Sequence, residues 1–335
     1  MFSPLEEVAS RYSKDTAQYV IQGAQCIAPG YYLSGIICVI LAGIFDLLRP
    51  FSVYGRLFST ESILKSQQLR NLLPLFSVSL HKGAAFTLFY VLGFIVNLLV
   101  LCLSQIGSYP HWGTNLLIAY QFHLARRIIE CLFVHKFSTS AKMPLFLVLA
   151  GAGHYLFTSF TLLPVSSRPE PRLYEYKGWV DPEDFVDGTH SEGDIDQLSI
   201  YIGVFLFLFG NLIQWIAHND LASLRINKNP EEKELYPLPR QTLFLFSLSP
   251  HYTAEIIIYL GLTIAKLGLE CQSGYRFDTG SVPFFARFNG LLVTLWVFAN
   301  LTMTALRTKA WYVKQVKSNE KERVETIAAI IPFVL

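Results

Sequence analysis

Runs of about twenty apolar residues recur along this chain, the length an α-helix needs to cross the hydrocarbon core of a bilayer. Seven stretches fit or nearly fit: Gly30 to Leu48, Ala84 to Ser104, Gly113 to Val134, Met143 to Leu163, Leu198 to Ala217, Thr253 to Leu269 and Phe284 to Leu306. The expectation is an all-α protein, a polytopic integral membrane bundle of seven transmembrane helices. Composition agrees, because 52% of the residues are apolar, only 16% are charged and the mean hydropathy is +0.37, whereas a soluble domain carries about a quarter charged residues. The third stretch is the weakest, since Arg126 and Arg127 fall inside it at about 2.5 to 3.5 kcal/mol each if they faced the bilayer centre. The sixth is short.

Positive charge tests the count independently, because cytoplasmic segments are rich in Lys and Arg. Segments 49–83, 135–142, 218–252 and 307–335 carry 5, 2, 4 and 6 basic residues; segments 1–29, 105–112, 164–197 and 270–283, with Arg287 just beyond, carry 2, 0, 3 and 2. Seventeen against seven on alternating sides predicts a lumenal or extracellular N-terminus and a cytosolic C-terminus. Deleting the third span would put the two sets out of phase. The expected organisation is therefore a lumenal segment 1–29 and a membrane-embedded domain 30–335. Met1 to Gln25 lacks the basic-then-apolar build of a cleaved signal peptide, so the first apolar run is expected to stay as a span. Segment 164–197 holds nine acidic residues from Glu170 to Asp196 and reads as a solvated lumenal loop.

The net charge of +2 and the lack of a basic stripe interleaved with aromatics argue against nucleic acid as a partner. Five cysteines (Cys26, Cys38, Cys102, Cys131 and Cys271) show no CxxC or metal-finger spacing, so neither disulfides nor a metal are expected. No internal repeat, GxGxxG turn, GKS/T loop or GxSxG elbow appears.

Ionisable residues inside spans are costly and by default mark a site. Tyr120, His123, Arg126, Arg127 and Glu130 are the densest group. In a helix, His123, Arg127 and Glu130 share a stripe, with Tyr120 one turn earlier; the alternative is a helix end with snorkelling arginines. A second group runs through Asn211, Gln214, His218, Asn219, Asp220 and Arg225, then Tyr236 and Pro239, to Ser249-Pro250-His251-Tyr252-Thr253-Ala254-Glu255. Glu255 at a helix N-terminus suits the dipole and could be a simple cap, as Arg225 could be a positive-inside anchor. Lys309, Trp311, Tyr312 and Lys314 form the third group, and alone they would read as interfacial anchors. All three lie near the cytosolic ends of their spans, where basic and amide groups suit a phosphate-bearing ligand and the surrounding helices suit a lipid.

These residues resemble the steroid 5α-reductase family of membrane enoyl reductases, intermittently from Tyr54-Gly55-Arg56 to the C-terminus. Phe86-Thr-Leu-Phe89-Tyr90 is similar to the family's FxxFY stretch, with Leu80-His81-Lys82 standing where Val-Pro-Lys is usual. His123-Leu-Ala-Arg126-Arg127-Ile-Ile-Glu130 resembles the HxxRRxxE block of polyprenol and trans-2-enoyl-CoA reductases. Leu221 to Arg225 resembles the LAxLR block. Ser249-Pro250-His251-Tyr252 with Glu255 and Tyr259, and Thr304 through Lys309 to Tyr312 followed by Ile-Ile-Pro-Phe, resemble the fungal polyprenol reductase branch. The resemblance implies a seven-helix bundle enclosing NADPH, with Gln214, His218, Arg225, Tyr236, His251, Glu255 and Tyr312 contacting the cofactor, and a steroid 5α-reductase-like region from about 198 to 335. It also implies an endoplasmic reticulum membrane protein acting on a long-chain polyisoprenoid in dolichol synthesis, which supports protein N-glycosylation, with membrane lipids around it and no obligatory protein partner. Leu124 stands where steroid-reducing members carry a tyrosine, which argues against a steroid substrate and leaves the proton donor open.

Hydride adds to a C=C bond only where the developing negative charge is delocalised, as onto a carbonyl oxygen met by a donor. An allylic alcohol lacks that sink, so the expected substrate is the α,β-unsaturated aldehyde polyprenal rather than polyprenol. His123 or Tyr120 would polarise the oxygen or return a proton, with Arg127 and Glu130 orienting it. The alternatives are a trans-2-enoyl-CoA reductase, suggested by Lys136-Phe137-Ser138 and Met143-Pro144, and a transporter or scaffold without catalysis.

Overall fold

Hydrocarbon offers no hydrogen bonds to a peptide group, so a spanning segment must satisfy its own backbone, and helix dominates accordingly. The computed structural model describes residues 4–44, 78–138, 141–164, 192–226, 238–272, 284–316 and 318–331. In chain order these form α1 (Pro4–Ile44), β1 (Ser79–His81), α2 (Lys82–Ile106), α3 (His111–Ile129) running on into a π turn (Glu130–Val134), β2 (Lys142–Pro144), α4 (Leu145–Thr161), α5 (Glu192–Ile226), α6 (Pro250–Gln272), α7 (Asn289–Gln315) and α8 (Ser318–Thr326), with 3₁₀ turns at Thr242–Leu245 and Phe284–Phe288. The class is all-α, as expected. The one sheet among the described residues is the antiparallel pair β1–β2, which joins Leu80 to Met143. Segment 45–77 and most of the acidic loop lie outside the described residues.

A helix stands at each of the seven apolar stretches. Ala9–Ile44, Lys82–Ile106, Asp196–Leu224 and Ala286–Gln315 are long and apolar enough to cross a membrane, and α4 is a shorter apolar helix. α3 carries its arginines, and α6 carries Glu255 and a buried Lys266–Glu270 pair 3.3 Å apart. The distribution of side chains is that of a protein in lipid. Leu88, Ile95, Leu98 and Leu99 of α2 and Leu198, Phe205, Leu208 and Leu212 of α5 face outward, while Asn97, His123, Arg127, Glu130, His154, Asn211, Gln214 and His218 are buried.

α1 begins well before its apolar run, because a buried stripe at helical spacing (Ala17, Ile21, Gln25, Ala28, Tyr32) carries it inward from the polar end. Pro29 sits inside it and has no N–H for the carbonyl of Gln25. The buried Asn289 Nδ2 donates to that carbonyl instead, at 3.0 Å. Near the other end, Arg307 donates to the carbonyl of Ala42 at 2.7 Å, one of the last-turn acceptors a helix leaves open.

α5 and α6 meet backbone to backbone. Gly203 and Gly210 on one helix face Ala254, Gly261 and Gly268 on the other, at seven-residue spacing. A Cβ on Gly261 would lie 2.6 Å from the nitrogen of Phe207, and one on Gly210 would lie 2.9 Å from the carbonyl oxygen of Ala254. Small residues let the helix axes approach in this way. The C-terminal segment folds back onto the start of α6, where Ser247 and Thr253 both donate to the carbonyl of Ile330 at 2.8 and 2.6 Å, and Lys309 donates to Ile327 at 2.7 Å.

Candidate active site

The i, i+3, i+4 rows of α3 and α5 carry the site. Tyr120, His123 and Arg127 point inward from α3, and Asn211, Gln214 and His218 from α5. The α5–α6 seam puts Glu255 within reach of Gln214, which donates to its carboxylate.

Glu130 opens the π turn, a helical irregularity common at functional sites, and is fully buried. Lying i+4 from Arg126 and i+3 from Arg127, its two oxygens hold one guanidinium each. Arg127 also donates to Tyr90 Oη through Nε at 3.0 Å and Nη2 at 2.7 Å, and its Nη1 lies 2.9 Å from His218 Nδ1. Arg126 spans the gap to α5, donating to Gln214 and, at 3.0 Å, to Asn211 Oδ1. Two guanidiniums and two carboxylates thus share one interior, the arrangement that makes burial of charge tolerable.

His123 can be assigned its tautomer. Asn211 Nδ2 donates to the carbonyl of Phe207 at 2.7 Å, which fixes the amide so that Oδ1 faces His123 Nδ1 at 3.0 Å. Hydrogen on Nδ1 satisfies this contact, the shorter of two at that nitrogen, the other being Arg126 Nη2 at 3.4 Å. Nε2 has no hydrogen-bond partner and lies 3.7 Å from Glu255 Oε1, a distance for charge attraction rather than a hydrogen bond. Beside His123, Tyr120 stacks at 6.0 Å between ring centroids. Its hydroxyl lies 3.4 Å from that of Tyr259, which in turn is 2.9 Å from His154 Nε2.

Of the expected residues, Tyr120, His123, Arg127, Glu130, Gln214, His218 and Glu255 are brought together. His251 joins their edge, its ring 5.8 Å from that of His218 and its carbonyl 3.4 Å from Gln214 Nε2. Tyr312 lies in a buried cluster with Leu238, Leu248 and Val324. Arg225 lies in α5, but its side chain is outside the described residues, as are Tyr236 and the terminal Pro332-Phe333. Sequence reasoning did not single out His154, and it placed Tyr90 and Tyr259 only in family-like blocks. A histidine in a strongly apolar stretch was the available signal for His154.

Glu130, His135 and His218 also bring ligand atoms within 4.8 Å of one another. Two guanidiniums already supply the positive charge a metal would bring to Glu130. Burial, then the neighbouring His218 and Arg127, push the His135 pKa far below the imidazole value.

Residues 185–335 match the family described as 3-oxo-5-alpha-steroid 4-dehydrogenase. The C-terminal part of the chain is thus similar to the steroid 5α-reductase family. Among curated relatives, Polyprenal reductase 1 of Arabidopsis thaliana is 30% identical over 230 residues, covering 65% of this chain and 64% of that protein. Polyprenal reductase of Drosophila melanogaster is 29% identical over 219 residues, 63% of this chain and 54% of that protein. Very-long-chain enoyl-CoA reductase of Dictyostelium discoideum is 28% identical over 148 residues, 44% and 41% respectively. The chain spans less than two thirds of the length of these relatives. The matched segment supplies Gln214, His218 and Glu255, whereas Tyr120, His123, Arg127 and Glu130 come from α3, ahead of it.

Proposed function

We propose that this chain is an NADPH-dependent oxidoreductase of CH–CH bonds that reduces the α,β double bond of polyprenal, giving the saturated aldehyde on the way to dolichol. The observation that carries this reading is His123. Its ring is held through Nδ1–H, its Nε2 is unpartnered in a buried polar pocket, and Glu255 stands by to stabilise it when protonated. That is the donor an enal oxygen needs as charge develops on it, and the plant and insect relatives are polyprenal reductases by name.

The donor set fits a dinucleotide. Asp220 Oδ2, Ser249 Oγ and His123 Nε2 are buried polar atoms without hydrogen-bond partners among the described residues, on α5, just before α6 and on α3. Hydroxyls and an amide would satisfy them. Gln214, His218, His251 and Glu255 would hold NADPH, with Arg225, Tyr236 and Tyr312 completing its site toward the phosphates. When bound, NADPH supplies the hydride. Tyr120 packs the His123 ring in place, and Glu130 with Arg127 fixes the α3 stripe against α5.

The chain crosses the endoplasmic reticulum membrane seven times with its C-terminus cytosolic. Support comes from the alternation of basic segments and from a helix at each apolar stretch. The long isoprenoid tail then stays in lipid while its head reaches the site. Purified protein with NADPH should reduce polyprenal and leave polyprenol untouched; equal rates on both would refute the aldehyde reading. The Dictyostelium relative favours one rival, reduction of an enoyl thioester by the same chemistry, and faster turnover of a trans-2-enoyl-CoA than of polyprenal would select it.

A further inference from the structure

Reduction of an enal needs a proton at the α-carbon as well as a hydride at the β-carbon, and the residues discussed above for the oxygen do not supply it. We infer that Tyr259 is the α-carbon proton donor and that His154 behind it is the positioning residue that reloads it. The inference rests on the proposed enal reduction.

Tyr259 follows Glu255 by one helical turn on α6, so both face α3, where Tyr120 and His123 present the opposing row. The Tyr259 ring is 6.4 Å from that of His123, centroid to centroid. An enal whose oxygen rests on His123 Nε2 has its α-carbon two bonds from that oxygen, within the span between the two rings.

The state of the Tyr259 proton follows from His154. This side chain is buried in α4 with Nε2 2.9 Å from the Tyr259 hydroxyl, while Nδ1 is buried and without a hydrogen-bond partner among the described residues. One ring nitrogen of a neutral imidazole carries hydrogen and the other a lone pair. An orphaned buried N–H is the rarer and costlier fault, an orphaned acceptor the milder one. His154 therefore places its hydrogen on Nε2 and donates to the Tyr259 oxygen. The Tyr259 O–H is then left over. The hydroxyl of Tyr120 lies 3.4 Å away, long for an O–H···O bond, so the proton is weakly held and free to point at a substrate carbon. Tyr120 is one step further from His154 and has no comparable supply. His154 is itself held in register, because its carbonyl accepts from Thr158 Oγ1 at 2.8 Å and from Tyr32 Oη of α1 at 3.2 Å.

The step balances. Once the β-carbon has gained its hydride, the former C=C electron pair lies in an enolate whose oxygen is held at His123. Re-forming the carbonyl sends that pair to the α-carbon, which takes the Tyr259 proton; the O–H bond breaks and a C–H bond forms. The phenolate takes hydrogen from His154 Nε2 as a solvent proton arrives at Nδ1, so the imidazole passes from one neutral tautomer to the other. The sum is enal, reduced nicotinamide and one proton giving saturated aldehyde and oxidised nicotinamide.

The test is Tyr259→Phe in the full-length purified protein, measured three ways. Turnover of polyprenal should fall about 100-fold or more, the scale of a lost general acid. NADPH affinity and melting temperature, read without substrate, should stay near wild type. In D₂O, wild-type protein without NADPH should exchange the α-hydrogen of the saturated aldehyde, and the variant should lose that exchange. His154→Gln should lower turnover and exchange together and change the solvent isotope effect on turnover, which a purely structural role would leave alone. Wild-type activity with Tyr259→Phe turnover and exchange within about threefold of wild type would overturn the inference while leaving the polyprenal reading intact. Wild-type protein that neither binds NADPH nor reduces polyprenal would overturn both.

Discussion

Gln214 donates to the carboxylate of Glu255 across a helix seam where glycines bring the backbones into contact. Glu255 thereby faces two ways, toward the amide on α5 and toward His123 Nε2 on α3. Glu255→Ala would leave the amide unpaired and the imidazole without its counter-charge. NADPH should bind about ten- to a hundredfold more weakly, the cost of a lost charge-assisted hydrogen bond, as read by quenching of intrinsic fluorescence.

His123→Ala should do the opposite. The residue meets the oxygen on which charge develops, so turnover should fall by roughly 10² to 10⁴ with NADPH affinity little changed. Weaker cofactor binding with turnover preserved would reverse the two assignments.

Glu130→Gln tests the ion network as a structural unit. The neutral amide takes from the buried Arg127 and the partly buried Arg126 the anion they share, and breaking a buried pair in this way costs about 3–5 kcal/mol. The detergent-purified variant should melt well below wild type or fail to accumulate.

The seam makes its own prediction. A Cβ on Gly261 meets the Phe207 nitrogen at 2.6 Å, whereas one on Gly290 meets only Thr263 at 3.5 Å, an ordinary contact. Gly261→Ala should destabilise by about 1–3 kcal/mol and Gly290→Ala by less than about 0.5, compared by melting temperature.

Pro29 and Asn289 form a compensating pair. Asn289→Ala should cost about 1–2 kcal/mol by stranding the Gln25 carbonyl. Pro29→Ala returns an N–H to that carbonyl, so in its background the same change should cost less. A double-mutant cycle measures the coupling.

Much of the site was legible because α3 repeats its chemistry at helical spacing. His123, Arg127 and Glu130 could be placed on one stripe from sequence alone. Arg126 belonged to the same cluster, yet its role as the bridge to Asn211 and Gln214 depends on where α5 lies, which spacing within α3 does not say. His154 stands alone in an apolar helix, where the inward face is set by packing against α1 and α2. Tyr312 was expected at the cofactor through family likeness. Its packing against Val324 depends on α8 folding back, a tertiary event with no local signature. The helical lead of α1 was hidden for a similar reason: its buried stripe relies on two small alanines and is interrupted by Gln25, whose amide finds the carbonyls of Phe160 and Leu163 at 3.0 and 3.1 Å.

The pairing of Arg126 and Arg127 with Glu130 and Glu255 has an electrical consequence. With its histidines neutral, the resting cluster carries no net fixed charge. A membrane potential acts on charge, at about 2.3 kcal/mol per unit charge moved through 100 mV, so it exerts no net force on this interior. A resting site built this way keeps its register whatever voltage the membrane holds.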